Sequence, residues 1–192
     1  MATISGGEAL EKKLKEISKR LERASSLKVG FLEGATYPDD AHTPVGQVAA
    51  WLNYGTKTAP PRPFFSNMVK AKSPKWGDKL ARILVNTNYD AAKALALMGE
   101  GISGQLHQAL VDLNAPALSP ITLMIRQMLI DDPNLVVTGT IVGEAAARVK
   151  AGESASGAST KVGVYTGHLL RSVAYSVDDG AHVMAGAGVG AG

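Results

Sequence analysis

Residues 45–65, VGQVAAWLNYGTKTAPPRPFF, constrain the fold more than any other stretch of this chain. Val45, Val48, Ala49 and Leu52 recur at helical spacing and lead into Asn53-Tyr54-Gly55-Thr56. Gly55 stands where a helix takes a left-handed residue just past its last turn, so the spacing predicts a short helix over 44–53 that stops there. Pro60, Pro61 and Pro63 then hold the backbone extended, because each ring fixes φ near about −65° and pushes the preceding residue out of the helical region. Phe64 and Phe65 follow that stiff rod and are delivered to a defined place. The segment contains no acid, cysteine or histidine. It is built to present a shape and lacks the makings of a reaction centre.

The rest of the chain alternates helical and strand-like patterns. Leu10, Leu14, Ile17 and Leu21 share one face of a helix expected over 8–24, with Ser5 and Glu8 at capping-box spacing. Its other face carries Lys12, Lys13, Lys15, Lys19 and Arg20, interleaved with Glu11 and Glu16. Pairs such as Glu11–Lys15 and Glu16–Arg20 favour a solvated face over a dedicated nucleic-acid stripe. Residues 27–32 read as a strand and 33–40 as a loop. Residues 64–70 make one or two helical turns. Ser73-Pro74 opens a long apolar-periodic run that Asn114-Ala115-Pro116 closes. A straight helix of about forty residues is unusual in a small domain, so a kink is expected near residues 99–104. Ser119-Pro120 caps a further helix that ends at Asp131-Asp132-Pro133. Residues 135–141 look like a strand, 142–150 like a short helix, and 152–160 like a flexible low-complexity linker. Residues 166–172 form a capped turn before a strand over 173–177. Asp178-Asp179-Gly180 then turns the chain into a returning strand over 181–185.

These elements make an α+β fold: a small antiparallel sheet packed against several helices, including a long, kinked central helix. With 192 residues, 45% of them hydrophobic, the chain fits one domain with a core of its own. The expected organisation is a single structural domain over 1–192, with a flexible inserted segment around 126–161 and a frayed Gly/Ala-rich end over 186–192. Exposed strand edges in such a sheet offer a template for pairing between subunits.

Candidate chemistry is sparse. Gly99-Glu100-Gly101-Ile102-Ser103-Gly104 satisfies G-x-G-x-x-G, but a helical pattern, not a strand, precedes it. The glycines are therefore read as a helix break or a close-packing face. His42, His107, His168 and His182 are scattered without metal-ligand spacing. The acid pairs 39–40, 131–132 and 178–179 sit at turns, where carboxylates cap backbone N–H groups or face water. Cysteine is absent, which removes a disulfide framework, thiolate metal sites and a thiol nucleophile. No catalytic, cofactor-binding or metal residue is nominated, and no cofactor is expected. The net charge of +3 is too mild to argue for a nucleic-acid partner alone. No apolar signal region and no 18-residue apolar run is present, so a soluble protein that is not exported is expected.

The strand Lys28-Val29-Gly30-Phe31-Leu32, the turn Tyr37-Pro38-Asp39, the helix at Val48-Ala49-Ala50, then Asn53-Tyr54-Gly55-Thr56 and Pro61-Arg62-Pro63-Phe64 follow one another in an order and spacing that resembles the neck and tail-completion proteins of tailed bacteriophages. Leu118-Ser119-Pro120 and Thr166-Gly167-His168-Leu169-Leu170-Arg171-Ser172-Val173 resemble that family's LSP and DTGxLxxSI elements, with Tyr165 in place of the Asp. The likeness covers residues 27–70 and, more loosely, 118–178. It implies a virion structural protein, made in the host cytoplasm, that acts as a subunit of a homo-oligomeric ring, six around the axis, at the head–tail junction. Its partners would be the connector and the tail-terminator or tail-tube proteins. The resemblance places Asn53, Tyr54, Gly55, Thr56, Pro61, Arg62, Pro63, Phe64, Phe65, Leu169 and Arg171 at subunit or partner contacts. In physical terms Arg62 would reach a neighbour's carboxylate bidentately, and Phe64 or Phe65 would anchor an interface. Lys12, Lys15, Lys19 and Arg20 would face the DNA lumen of the ring, in contacts blind to sequence and sensitive to salt. Alternative readings are a tail-terminator or head-side connector ring of the same junction and, further off, a basic nucleic-acid-binding module.

Overall fold

The computed structural model describes residues 7–31, 34–37, 42–162, 167–178 and 183–184. In chain order the elements are α1 (Gly7–Leu21), β1 (Leu27–Phe31), α2 (Val45–Tyr54), α3 (Phe64–Lys72), α4 (Trp76–Asn86), α5 (Ala91–Val111), α6 (Pro120–Asp131), α7 (Gly139–Lys150), α8 (His168–Arg171), β2 (Val173–Val177) and β3 (Val183–Met184). The class is α+β. The strands form one antiparallel sheet in the order β1-β2-β3, and Leu27, Val29 and Phe31 stand opposite Val177, Tyr175 and Val173. Alternation along a strand puts these six residues on one face, which packs against α5. Close approach there requires Gly99: a Cβ at that position would stand 2.5 Å from the Tyr175 ring and 2.8 Å from Leu27. Of the two expectations for the glycine cluster, close packing holds.

The other expectation, a kink at 99–104, is corrected. Residues 99–104 lie inside the unbroken α5, and the long periodic run breaks instead between α4 and α5. Asn88 and Tyr89 take left-handed φ angles of 52° and 60° there. Thr87 Oγ1 donates to the Ile83 and Leu84 carbonyls, and Asp90 accepts from the Lys93 N–H as the cap of α5. Capping on both sides of two left-handed residues reverses the chain, which apolar periodicity alone does not register. The opening of the run also differs. Ser73–Lys75 form a 3-10 turn between α3 and α4.

One core gathers α2, α3, the C-terminal half of α5, α8 and β2 around Val45, Phe64, Leu106, Leu110, Leu169 and Val173. A second, smaller core joins only α6 and α7, through Met124, Met128 and Ala145. The expected strand over 135–141 is corrected. Residues 135–138 are irregular, Thr138 caps Ile141, and α7 starts at Gly139. Val136 and Val137 are exposed, so their β-branched run has no sheet to join. The segment 126–161 therefore contains the second half of α6, all of α7 and a return strap. Arg126, itself buried, donates to the carbonyls of Ser159 and Lys161, and Gln127 accepts from the Gly157 N–H at 2.8 Å. The strap ends by placing Val162 in the main core. Ser5, the turn at 38–40, Asp179-Gly180 and the tail over 186–192 lie outside the described residues.

Candidate functional site

The segment that dominates the sequence is a closed structural unit. Gly55 ends α2 with φ 80° and ψ 176°, a backbone region open to glycine, and its N–H bonds the Trp51 carbonyl at 2.8 Å. A Cβ on Gly55 would stand 2.8 Å from the Pro61 nitrogen and 2.9 Å from the Ala59 carbonyl oxygen. Thr56 closes the loop, its N–H donating to the Ala59 carbonyl and its Oγ1 accepting from the Ala59 N–H. The chain then runs back along α2, where the Arg62 N–H donates to the Leu52 carbonyl at 2.8 Å. Asn53 completes the unit. Its Oδ1 accepts from the N–H groups of Phe65 and Ser66, and its Nδ2 donates to Ser66 Oγ at 2.8 Å. No side chain of the α3 cap residue, Pro63, accepts from the first turn, so Asn53 of α2 performs that cap from outside the helix.

Four residues expected at contacts with neighbours are turned inward. Arg62 is buried. Its Nε donates to the Pro116 carbonyl at 2.9 Å and its Nη2 to the Ala117 carbonyl at 3.1 Å, tying the α5–α6 loop to the α2–α3 unit. Two carbonyls in the same chain take the fork that was expected to meet a carboxylate on another subunit. Phe64 lies in the main core, edge-on to Phe31 with ring centroids 6.4 Å apart, and Asn53 is 4% exposed. Leu169 is likewise a core residue. Phe65 is partly buried, while Tyr54, Thr56 and Pro61 are exposed. Tyr54, at 74% exposure, and Trp51 form the outward face of α2.

The two blocks that are distant in sequence come together. Leu118 packs on the same core as Val45, Phe64 and Leu169, and Ser119 accepts from the Thr122 N–H as the cap of α6. Gly167, left-handed at φ 67°, precedes α8, and the guanidinium of the exposed Arg171 folds over the space where a Cβ of Gly167 would be. His168 Nε2 pairs with the Thr36 carbonyl at 2.9 Å, and its ring packs at a tilt of 50° against Tyr37, whose hydroxyl pKa burial raises. Tyr165 and Thr166 lie outside the described residues.

The expected basic face sits on α1. Lys15 pairs with Glu11 at 2.7 Å, and Arg20 donates to the Asn88 carbonyl at 3.2 Å. Lys12 and Lys19 share the same exposed face with Glu8 and Glu16. Sequence reasoning missed what lies behind this helix: α1 has no buried residue, and Leu10 and Leu14 are 60% and 57% exposed. It also missed the clamp at its root. The Asp178 carboxylate accepts from the N–H and hydroxyl groups of Ser25 and Ser26, and these bonds hold its pKa below the usual carboxylate value. Acid at a turn was the available signal, and its partners 152 and 153 residues away were not.

The G-x-G-x-x-G run lies mid-helix, where its amides belong to the α5 ladder and no helix N-terminus faces a phosphate. Among the described residues no group of three or more His, Cys, Asp or Glu is placed to hold a metal ion, and no helix is long and apolar enough to cross a membrane. No protein-family model, curated protein or solved structure matches the chain.

Proposed function

We propose that this chain is a structural subunit of the phage neck, a ring-forming protein that joins or completes the tail at the head–tail junction and works by assembly. The observation that carries the reading is the distribution of large apolar side chains left in water. Three groups of them stand on separate elements: Leu10, Leu14 and Leu21 on α1, Trp51 and Tyr54 on α2, and Ile130, Val136, Val137 and Val142 around the tip of the α6–α7 arm; Val85, Tyr89 and Leu97 are exposed besides. Scattered exposed apolar residues are ordinary, whereas patches on separate elements fit a subunit that meets several neighbours. The ordered resemblance of residues 27–70 to neck proteins names the kind of assembly. In this reading Tyr54 and the arm tip take over the interface role first expected of Arg62 and Phe64. A closed ring needs two different surfaces per subunit, and the patches supply them.

Cryo-electron microscopy and mass spectrometry of the purified virion test the proposal. The expected result is density for this chain in a closed ring between the connector and the tail, with stoichiometric peptides. Virions without the chain would overturn it and leave the basic nucleic-acid module as the remaining reading. A ring found on the wrong side of the connector would assign the chain to another component of the same junction.

A further inference from the structure

The positive charge of the chain is concentrated in one place. Residues 70–82 hold Lys70, Lys72, Lys75, Lys79 and Arg82 against Asp78 alone, a balance of +4 in a chain whose net charge is +3, so everything else sums to −1. By comparison α1 sets five cations among Glu8, Glu11 and Glu16, for +2. Lys72 closes α3, Lys75 stands in the 3-10 turn, and Lys79 and Arg82 belong to α4. The backbone stays right-handed helical through both junctions, so steps of three, four and three residues bring these four to one side. All four are exposed and line one concavity of about 550 Å³ against α5. Lys79 reaches across it: a Cβ on Gly101 of α5 would stand 2.7 Å from its Nζ. Among the described residues none of the four forms an ion pair, not even with Asp78 in the same concavity. We propose that Lys72, Lys75, Lys79 and Arg82 form the stripe by which the subunit meets the phosphate backbone of duplex DNA, in place of the lysine face of α1. The inference deepens the neck reading by naming the surface that meets packaged DNA, and it rests on that reading for the duplex being there.

Three observations select a duplex backbone over an acidic protein surface or a single strand. The first is spacing. The ten residues from Lys72 to Arg82 rise about 15 Å. One strand of duplex DNA carries a phosphate about every 3.4 Å of axis, so the stripe lies over about four of them. The second is residue type. Three of the four are lysines, point charges with rotatable donors that suit phosphate oxygens in any register. Carboxylates on a protein partner favour the fixed fork of arginine. The third is the direction of Trp76, the aromatic of the concavity. Its ring packs against the main core and its Nε1 donates to Gln105 Oε1 at 3.1 Å. Turned that way, it offers neither a stacking platform for unpaired bases nor an anchor for a protein interface.

Binding of the full chain to a short random-sequence duplex, read over a series of salt concentrations, tests the proposal. Four neutralised phosphates per subunit give the logarithm of the association constant a slope of about −3.6 against the logarithm of salt. That slope is a loss of about a hundredfold between about 50 and 200 mM salt. Lys72→Gln/Lys75→Gln/Lys79→Gln/Arg82→Gln is expected to flatten the slope to about −1 or less, while Lys12→Gln/Lys15→Gln/Lys19→Gln keeps it. A stripe variant with the wild-type slope overturns the proposal, and so does a wild type that is not retained at low salt. If circular dichroism shows the fourfold variant to be misfolded, the milder Lys75→Gln/Arg82→Gln is read instead, with an expected change in slope of about 1.8. Polyglutamate that competes as well as the duplex, or a single strand that binds more tightly, overturns the choice of partner. Virion content is read separately. A chain found in the neck ring whose stripe variant keeps the wild-type slope refutes the stripe alone. A stripe that binds duplex in a chain missing from virions refutes the neck reading alone.

Discussion

Asn53 connects two helices with one side chain. Its amide oxygen serves two N–H groups of the first turn of α3 while the residue itself lies buried in the last turn of α2. Asn53→Ala leaves both donors without a partner and removes the Ser66 contact. The expected loss is about 1–2 kcal/mol, the cost of a missing helix cap, seen as a fall in melting temperature of roughly 2–8 °C for a domain of this size. A variant melting with the wild type would show that water replaces the cap at no cost. Asp178 sets a pH-dependent bond of the same kind. Its folded pKa is lowered from 3.8 by the Ser25 and Ser26 N–H groups, so the stability it contributes is present above the unfolded value and disappears as pH falls through the folded one. Asp178→Asn keeps a side chain that tolerates the positive φ of 48° at this position but loses the charge. Urea midpoints of the two proteins should differ by a constant amount from pH 7 to pH 5 and converge below pH 4. A gap that stays constant down to pH 3 would remove the carboxylate as its source.

At the scale of elements, Arg126 and the strap form the clearest mechanical pairing. The buried guanidinium of α6 holds two carbonyls of the strap, and with Gln127 it keeps residues 152–161 beside the arm although they form no helix or strand. Arg126→Ala removes charge-assisted bonds worth about 2 kcal/mol, and the loss should stay local, because the second core depends on Met124, Met128 and Ala145. Amide exchange is expected to speed up across 153–161 and remain slow in α5; faster exchange in α5 as well would mean that strap and main core unfold together. The low-complexity composition of the strap made it readable as a linker, but not its attachment, which depends on an arginine more than thirty residues earlier. The same limit recurs elsewhere. Local signals were legible: the α2 stop at Gly55, the cap at Ser119, and the strand over 173–177. The turn between α4 and α5 was hidden because apolar spacing runs through it, and its markers are only Thr87, Asn88 and Asp90. The direction of Arg62 was illegible for another reason: the carbonyls it meets lie 54 and 55 residues downstream.

For the whole molecule, α1 carries two demands on opposite faces. The leucines face one way, while Lys12, Lys15 and Lys19 lie about half a turn around the helix. On the proposed reading the leucine face belongs to a neighbouring subunit and the lysine face to solvent. Lys15 is held by Glu11 and Arg20 by a backbone carbonyl, so the phosphates fall to the α3–α4 stripe. The logarithm of the association constant for duplex DNA should then fall against the logarithm of salt with a slope of about −3 to −4 per subunit. Changing Lys12, Lys15 and Lys19 to Gln should leave both that slope and self-association intact. Leu10→Glu/Leu14→Glu should abolish self-association first and weaken DNA retention as a consequence, because a ring adds its subunits' phosphate contacts while a monomer offers only its own. If the lysine variant flattens the slope, α1 holds phosphates as well as a neighbour. If the leucine variant retains wild-type DNA affinity, self-association does not gather the stripes, and the leucine face serves a partner other than a second subunit.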